Sequence, residues 1–527
     1  MRGEAPPSRP VPFFSGLLGV SRDGTQTLVV GGGVLHPRDV AAAALGGRPT
    51  ALHPAAWARI GAGHDALLRL TACGRPIYGV NTGLGAAADT AIAPDADQQR
   101  RVVLARMVGV GPAATAPQVR ATMVARLAGF AEGRSGVSPA VAEAYLAVLN
   151  SGMVPVMPLV GSIGQADLAP LAHVAAVLVG AGEADVDGAV LTGADAMARA
   201  GIACPAFGPK DGLALVSSNA ASVGLAALVL ADAERLFGAW VAAAALSLEG
   251  FRGNLAPLHP AAVALRPVPG QAAVAGALRH MLEVSSLYAV PRRLQDPLSV
   301  RCLAPVMGAC LAVLHGATAA VALELNSSDD NPAVLADEGC ILPTANFDTT
   351  HLVLALEGLG LAMARVAAAQ GARVLQLMSP GASGLPRFLS PVQAGRNGFA
   401  TLQKTASVLV AEIGQLAMPM PAYALPAADG VEDYATMTLS VVSRTSALLD
   451  HLRLLCAIEL LVAAQACELR PGTTLGPRCA AVLATVRAAV PPLHEDRPCA
   501  PDVLALAGLV AAGQFGACGA ALFDDGA

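Results

Sequence analysis

Apolar residues recur at helical spacing along most of the chain. The spacing predicts helices over 38–45, 54–72, 96–110, 116–131 and 140–151, and further ones over 352–369, 398–416, 437–469 and 475–489. Beyond Pro205 the pattern becomes long and helical, and Leu236–Leu248 is apolar on every side, as in a helix buried within a protein. Thr27–Val30 and Val34–Leu35 flank three glycines and read as a short hairpin. Ile77–Gly85 carries glycines at 79, 83 and 85 and forms no regular element. The expected fold class is mainly α.

One glycine-punctuated turn stands out, Gly161–His173, reading GSIGQADLAPLAH ahead of an apolar run. A helix start there presents backbone N–H groups and the positive end of a dipole, suited to an anion or to developing negative charge. Most such turns only redirect the chain, so the turn alone assigns nothing.

Composition narrows the classes. Of 527 residues, 54% are apolar and only 14% charged, which leaves little polar material to cover an isolated monomer and points to burial between subunits. A net charge of −5 without a basic run argues against nucleic acid as a partner. The run Leu236–Leu248 is too short to span a bilayer, so no membrane partner is expected. Residues 1–24, rich in Pro, Arg and Gly, read as a flexible extension rather than a signal peptide. Ten cysteines without a CxxC pair fit reduced thiols in the cytoplasm, and ten histidines without an HxxH or HExxH cluster make a metal site unexpected.

Three further stretches join the turn: YGVNTGLG at Tyr78–Gly85, LQDPLSVRCLAPVMGAC at Leu294–Cys310, and SDDNP at Ser328–Pro332 followed by Asn346 and Phe347. In this order, and with DLAPLAH between them, they resemble the histidine and aromatic amino acid ammonia-lyase family, which includes the related aminomutases. The likeness runs from about Thr27 to Pro501. It implies an N-terminal site-loop domain over 25–206, a central helical bundle over 207–500 and a C-terminal helix and tail over 501–527. It also implies a homotetramer acting on a small-molecule substrate, with each site drawing on several subunits.

The resemblance breaks at the prosthetic group. Family members carry Ala-Ser-Gly ahead of the DLAPLAH helix, and that tripeptide cyclises and loses water to give an electrophilic methylidene-imidazolone. Here Gly164 is followed only by Gln165 and Ala166 before Asp167, one residue short and without a serine. Ser162 is a poor substitute, because Ile163 occupies the position of the cyclising glycine. The expected cofactor is therefore none. KDGLALVSSN resembles the family's K-E-G-L-A-L-x-N-G-T, with Ser217 where the asparagine that touches the electrophile belongs.

Other positions carry over. The resemblance makes Tyr78 the general base for the β-proton, a role that needs nearby positive charge to favour phenolate; the alternative is a hydroxyl tying down a turn. Arg106 falls where lyases acting on histidine or tyrosine place a substrate-reading histidine, and it serves either an anionic group or a structural ion pair. Gln295 and Arg301 match the family's carboxylate grip, a bidentate geometry suited to guanidinium, while Leu298 replaces its second tyrosine. Phe347 matches a ring-packing phenylalanine or is a core aromatic. Glu432 and Asp433 match a Q-E-D form usual for histidine substrates, so Glu432 reads a polar group or serves a helix start. Asp329, Asp330 and Asn331 are expected to be structural.

The retained residues hold a carboxylate and move a proton, whereas the lost ones turn an amine into a leaving group. The expectation is a lyase-like enzyme that eliminates a better leaving group, or that adds to, isomerises or cyclises an amino-acid-like compound. Ordinary ammonia elimination from Phe, Tyr or His is expected to be absent. The rival is a catalytically silent scaffold or binding protein.

Overall fold

Long helices with little polar surface have to cover one another, and the computed structural model of the chain shows how. It describes residues 27–92, 96–289, 292–391, 395–421, 425–470 and 472–523, so the expected extension over 1–24 lies outside the described residues. The helix Ala220–Phe251 is buried on nearly every face and packs against Thr438–Glu468, Ala116–Ala131 and Leu303–Leu325. Thr350–Leu377 and Leu402–Leu416 complete the bundle against Thr438–Glu468. The mainly α expectation holds. One continuous apolar cluster runs from Val30 to Leu522.

A polar crosslink sets the helix register inside that apolar material. Arg373 makes a bidentate pair with Glu459, at 2.8 and 3.1 Å, and Ser247 donates to the same carboxylate at 2.8 Å. Three helices therefore meet at one buried charge pair. Such a pair constrains geometry more than it adds net stability. Arg373 also donates to the Ser299 carbonyl at 3.0 Å, which ties the segment before Arg301 to the bundle.

Local chemistry explains some helix boundaries. Thr115 and Gln118 form a reciprocal capping box that spans Pro117. Ser138 caps the helix Pro139–Ser151, which ends at a left-handed Gly152.

Several expectations are corrected. Leu28–Val30 is a strand, but it pairs in parallel with Thr50–Leu52 and not with 34–35. The backbone groups of Leu35 are taken by Asn326, which accepts from Leu35 N and donates to Leu35 O, both at 2.8 Å. The helix expected over 96–110 stops at Leu104, and Val110–Ala113 pairs antiparallel with Pro158–Val160. Gly109, Gly111 and Pro112 disfavour continued helix there. A hairpin, Glu183–Val186 with Ala189–Thr192, went unrecognised although Asp187-Gly188 is a strong turn signal; both residues have positive φ. The apolar run Leu236–Leu248 is part of a longer element, so the expectation that it is too short to span a bilayer fails. Asp211–Phe251, Leu303–Leu325 and Thr350–Leu377 are each long and apolar enough to cross one. The most apolar window of the first is 94% buried within this chain, and those of the other two are 44% buried.

Candidate active site

The helical pattern after Pro205 begins with a short helix, Asp211–Val216, breaks at Ser217–Asn219 and resumes at Ala220. The break is held by charge. Arg126, fully buried, pairs with Asp330 at 2.7 Å and lies 3.7 Å from Asp329. Burial disfavours its charge, but Asp330 and Asp329 outweigh that and raise its pKa. Asp329 in turn accepts from Ser218 Oγ at 2.8 Å and from Asn219 N at 2.5 Å. This fits the structural reading of the Asp329–Asn331 stretch.

Asn219 connects that base to the glycine turn. Its Oδ1 accepts from Ala166 N at 3.0 Å and its Nδ2 donates to Phe347 O at 2.8 Å. Sequence reasoning placed Ser217 in the family asparagine's position; an amide two residues further on reaches the turn instead.

Gly164 is the tightest point. It has φ +80°, and an added Cβ would lie 2.3 Å from Thr436 Oγ1 and 2.6 Å from Thr438 N. Only glycine fits such a site without rearrangement. Its carbonyl accepts from Thr436 Oγ1 at 2.6 Å and Thr349 Oγ1 at 3.1 Å. Ala166 also has positive φ, 68°. Asp167 is fully buried and accepts from Ser162 Oγ and Ser222 N, both at 2.7 Å. Burial raises its pKa against the pull of those bonds.

Above the turn lies a cavity of about 790 Å³. Of the expected residues it is lined by Tyr78, Arg106, Gln165, Ala166, Ser217, Phe347 and Glu432. Gly164 and Asp167 lie within and behind the turn. The Tyr78 hydroxyl accepts from Gly85 N at 3.0 Å, within its own loop. Gln99 fixes that loop by donating to Gly79 O at 3.0 Å and accepting from Leu213 N at 3.2 Å. Arg106 stands just past its helix and donates to Val102 O at 3.1 Å. Burial lowers its pKa, and the charges of Tyr78 and Glu432 oppose that shift, so the three groups face one another electrostatically.

Gln295, Leu298 and Arg301 do not line this cavity of the single chain. They sit at the start of a short helix, Leu298–Arg301, where Leu294 is 86% and Leu298 63% exposed. Arg301 donates to Gln295 Oε1. A motif gives a residue's place in the chain, not which copy's pocket it serves.

The cavity also holds residues that sequence reasoning passed over, Asp348 and Tyr434 with Leu84 and Leu213, and Asn331, which was expected to be structural. Asp348 follows the recognised Phe347 directly and Tyr434 follows the Glu432–Asp433 pair, so adjacency was the available signal. Among the described residues no group of three or more His, Cys, Asp or Glu side chains is arranged to hold a metal. All ten cysteines are free.

Comparison with known proteins places this geometry. The ergothionase of Treponema denticola, described as an ergothioneine-degrading enzyme and solved with desmethyl-ergothioneine sulfonic acid, is 30% identical with a TM-score of 0.89, over 93% of this chain and 99% of that one. The tyrosine aminomutase of Streptomyces globisporus is 28% identical with a TM-score of 0.89, over 95% and 99%. These likenesses define the class, a helical scaffold of the ammonia-lyase and aminomutase type. Histidine ammonia-lyase of Anaeromyxobacter sp. strain K is 38% identical over 501 residues, 92% of this chain and 98% of its relative's length. That of Aromatoleum aromaticum is 37% identical over 470 residues, 88% and 89%. Residues 35–488 match the family model for aromatic amino acid lyase, and the chain belongs to that family.

Proposed function

We propose that this chain catalyses a β-elimination without a methylidene-imidazolone group, using Tyr78 as base. Its substrate is a carboxylate-bearing, amino-acid-like compound whose α-nitrogen leaves readily by itself. The observation that carries this reading is the Gly164–Asp167 turn. Ring formation requires a serine to dehydrate and a backbone nitrogen free to attack a nearby carbonyl. The turn offers Gln165 and Ala166, and the Ala166 N–H is already donated to Asn219. The residues present do not fit the group.

Without an electrophile the leaving group has to be intrinsically good. A base strong enough for a β-proton first strips the more acidic N–H of an α-ammonium, and the resulting amine departs poorly. A quaternary ammonium has no N–H and departs as a neutral tertiary amine. The β-proton moves to the Tyr78 oxygen, the C–H electron pair becomes the Cα=Cβ bond, and the Cα–N pair leaves with the amine. Arg106 lines the same cavity wall as Tyr78 and feels its charge. The likeness to an ergothioneine-degrading enzyme supports this choice, since ergothioneine is a betaine with a trimethylated α-nitrogen.

Gln295 and Arg301 then serve the pocket of another copy of the chain, as the family resemblance implies. The exposure of Leu294, Gln295 and Leu298 supports that, and so do the two long apolar helices left 44% buried at their most apolar windows. A homotetramer in the cytoplasm accords with this surface and with ten free cysteines.

The test is to incubate the protein with histidine, phenylalanine and tyrosine and with their trimethylated betaines, and to weigh the intact protein. Unsaturated acid and trimethylamine from a betaine, with an undehydrated mass, is the expected result. Rapid ammonia release from the free amino acids, or a mass short of one or more waters, overturns it. Absence of any turnover returns the chain to the silent-scaffold reading.

A further inference from the structure

The cavity carries more negative charge than the reaction described above uses. Asp348, Glu432 and Asp433 all line it, against Arg106 as the cation named in its wall. Arg106 faces Glu432 electrostatically, whereas among the described residues no ion pair is recorded for Asp348.

Asp348 is also held firmly. Its Oδ2 accepts from Gln165 Nε2 at 2.9 Å, and its Oδ1 accepts from Thr350 N at 3.0 Å. The backbones of Gln165 and Asp348 form an isolated antiparallel bridge. Partial burial favours the protonated form, but the bonds from Gln165 and Thr350 prevail and hold the pKa below the usual carboxylate value. Nearby Glu324 is pushed up to about 7 by burial, with Asp329 and Asp348 adding to the shift, so negative charge is already concentrated on this side.

Aromatic rings share the corner. Phe347 precedes Asp348, and its carbonyl is fixed by Asn219. The Tyr434 hydroxyl lies 2.9 Å from Thr350 Oγ1, so Tyr434 and Asp348 are both tied to Thr350. A fixed carboxylate with aromatic side chains lining the same cavity is the chemistry that recognises an ammonium bearing no N–H, through charge and through the ring quadrupole.

We infer that Asp348 is the specificity-determining residue that selects a substrate carrying a permanent cation, and that Gln165 is its positioning residue. The inference rests on the elimination reading above and deepens it. The two-residue turn that replaces the family tripeptide then has a use of its own: its glutamine aims a carboxylate at the substrate's cationic nitrogen. Selection acts in binding, before any bond breaks.

The experiment measures calorimetric binding to the full-length protein in a Tyr78→Phe background, which stops turnover. The ligands are histidine betaine and its neutral isostere with a tert-butyl group in place of trimethylammonium. The expected preference for the cation is on the order of tenfold. Asp348→Asn should erase that preference by weakening the betaine alone, and Gln165→Leu should reduce it partway. Because Asp348 also caps the helix at Thr350, the Gln165→Leu arm keeps the test decisive if Asp348→Asn folds poorly. A preference that survives both substitutions overturns the assignment; with betaine turnover by the wild type, it leaves the elimination reading standing. A wild type that neither binds nor converts the betaine overturns both.

Discussion

The turn Gly161–Asp167 and the segment Gln295–Arg301 hold residues expected in one site, yet the fold treats them oppositely. In the turn several polar groups are matched by residues distant in sequence: the Gly164 carbonyl by Thr349 and Thr436, Ala166 N–H by Asn219, and Gln165 by Asp348. In the segment, among the described residues, the Arg301 side chain donates to Gln295, six residues away, and Leu298 is exposed. A region saturated with internal bonds holds its geometry alone. In the segment a half-buried guanidinium lies beside exposed leucines, a surface that fits the proposed contact with another copy of the chain.

Several measurements break or sharpen that contrast. Tyr78→Phe should lower turnover of a betaine substrate by about 10²–10⁴-fold, with the unfolding midpoint in urea nearly unchanged. A large loss of stability instead would make Tyr78 a turn anchor.

Gly164→Ala should cost about 2–4 kcal/mol in urea unfolding, because the new Cβ meets Thr436 and Thr438 at a positive φ. Leu298→Ala, in the other region, should stay within about 0.5 kcal/mol. Equal costs would end the comparison.

Arg301→Ala should raise KM by about tenfold or more through loss of the carboxylate grip. Co-expressed with Tyr78→Phe, it should regain activity, because mixed assemblies form pockets with an intact Tyr78 from one copy and an intact Arg301 from another. No recovery would place both residues in one copy's pocket.

The smallest effect is a pH dependence beneath the turn. Burial lowers the Lys210 pKa to about 8 from 10.5, with Asp330 opposing. Between those values the folded state has shed this proton while the unfolded chain keeps it. The unfolded state binds more protons, so the Lys210 contribution to stability rises with pH across that window. Lys210→Met should flatten that part of the profile, whereas Arg301→Ala should leave it unchanged.

Helices were legible where caps and apolar spacing agreed, as at 54–72 and 116–131. They were misjudged where a distant partner decided, as when Asn326 drew Leu35 away from a hairpin. In the pocket, Tyr78, Arg106, Phe347 and Glu432 were legible from motifs. Asn219, Asp348 and Tyr434 were not, because their roles come from contacts across 53 to 183 residues of chain, or from sharing a corner with Thr350.

The sequence by itself determined a mainly helical member of this family and a turn without the serine that dehydrates. Both follow from local information: periodicity, capping and the order of bonded atoms. Only the tertiary structure decided that Gln165 and Asp348 meet, that an amide from Asn219 holds Ala166, and that Arg301 lies outside its own chain's pocket. Those facts depend on which surfaces are brought together when the long helices bury their apolar faces, and residue spacing along a chain does not encode that distance in space.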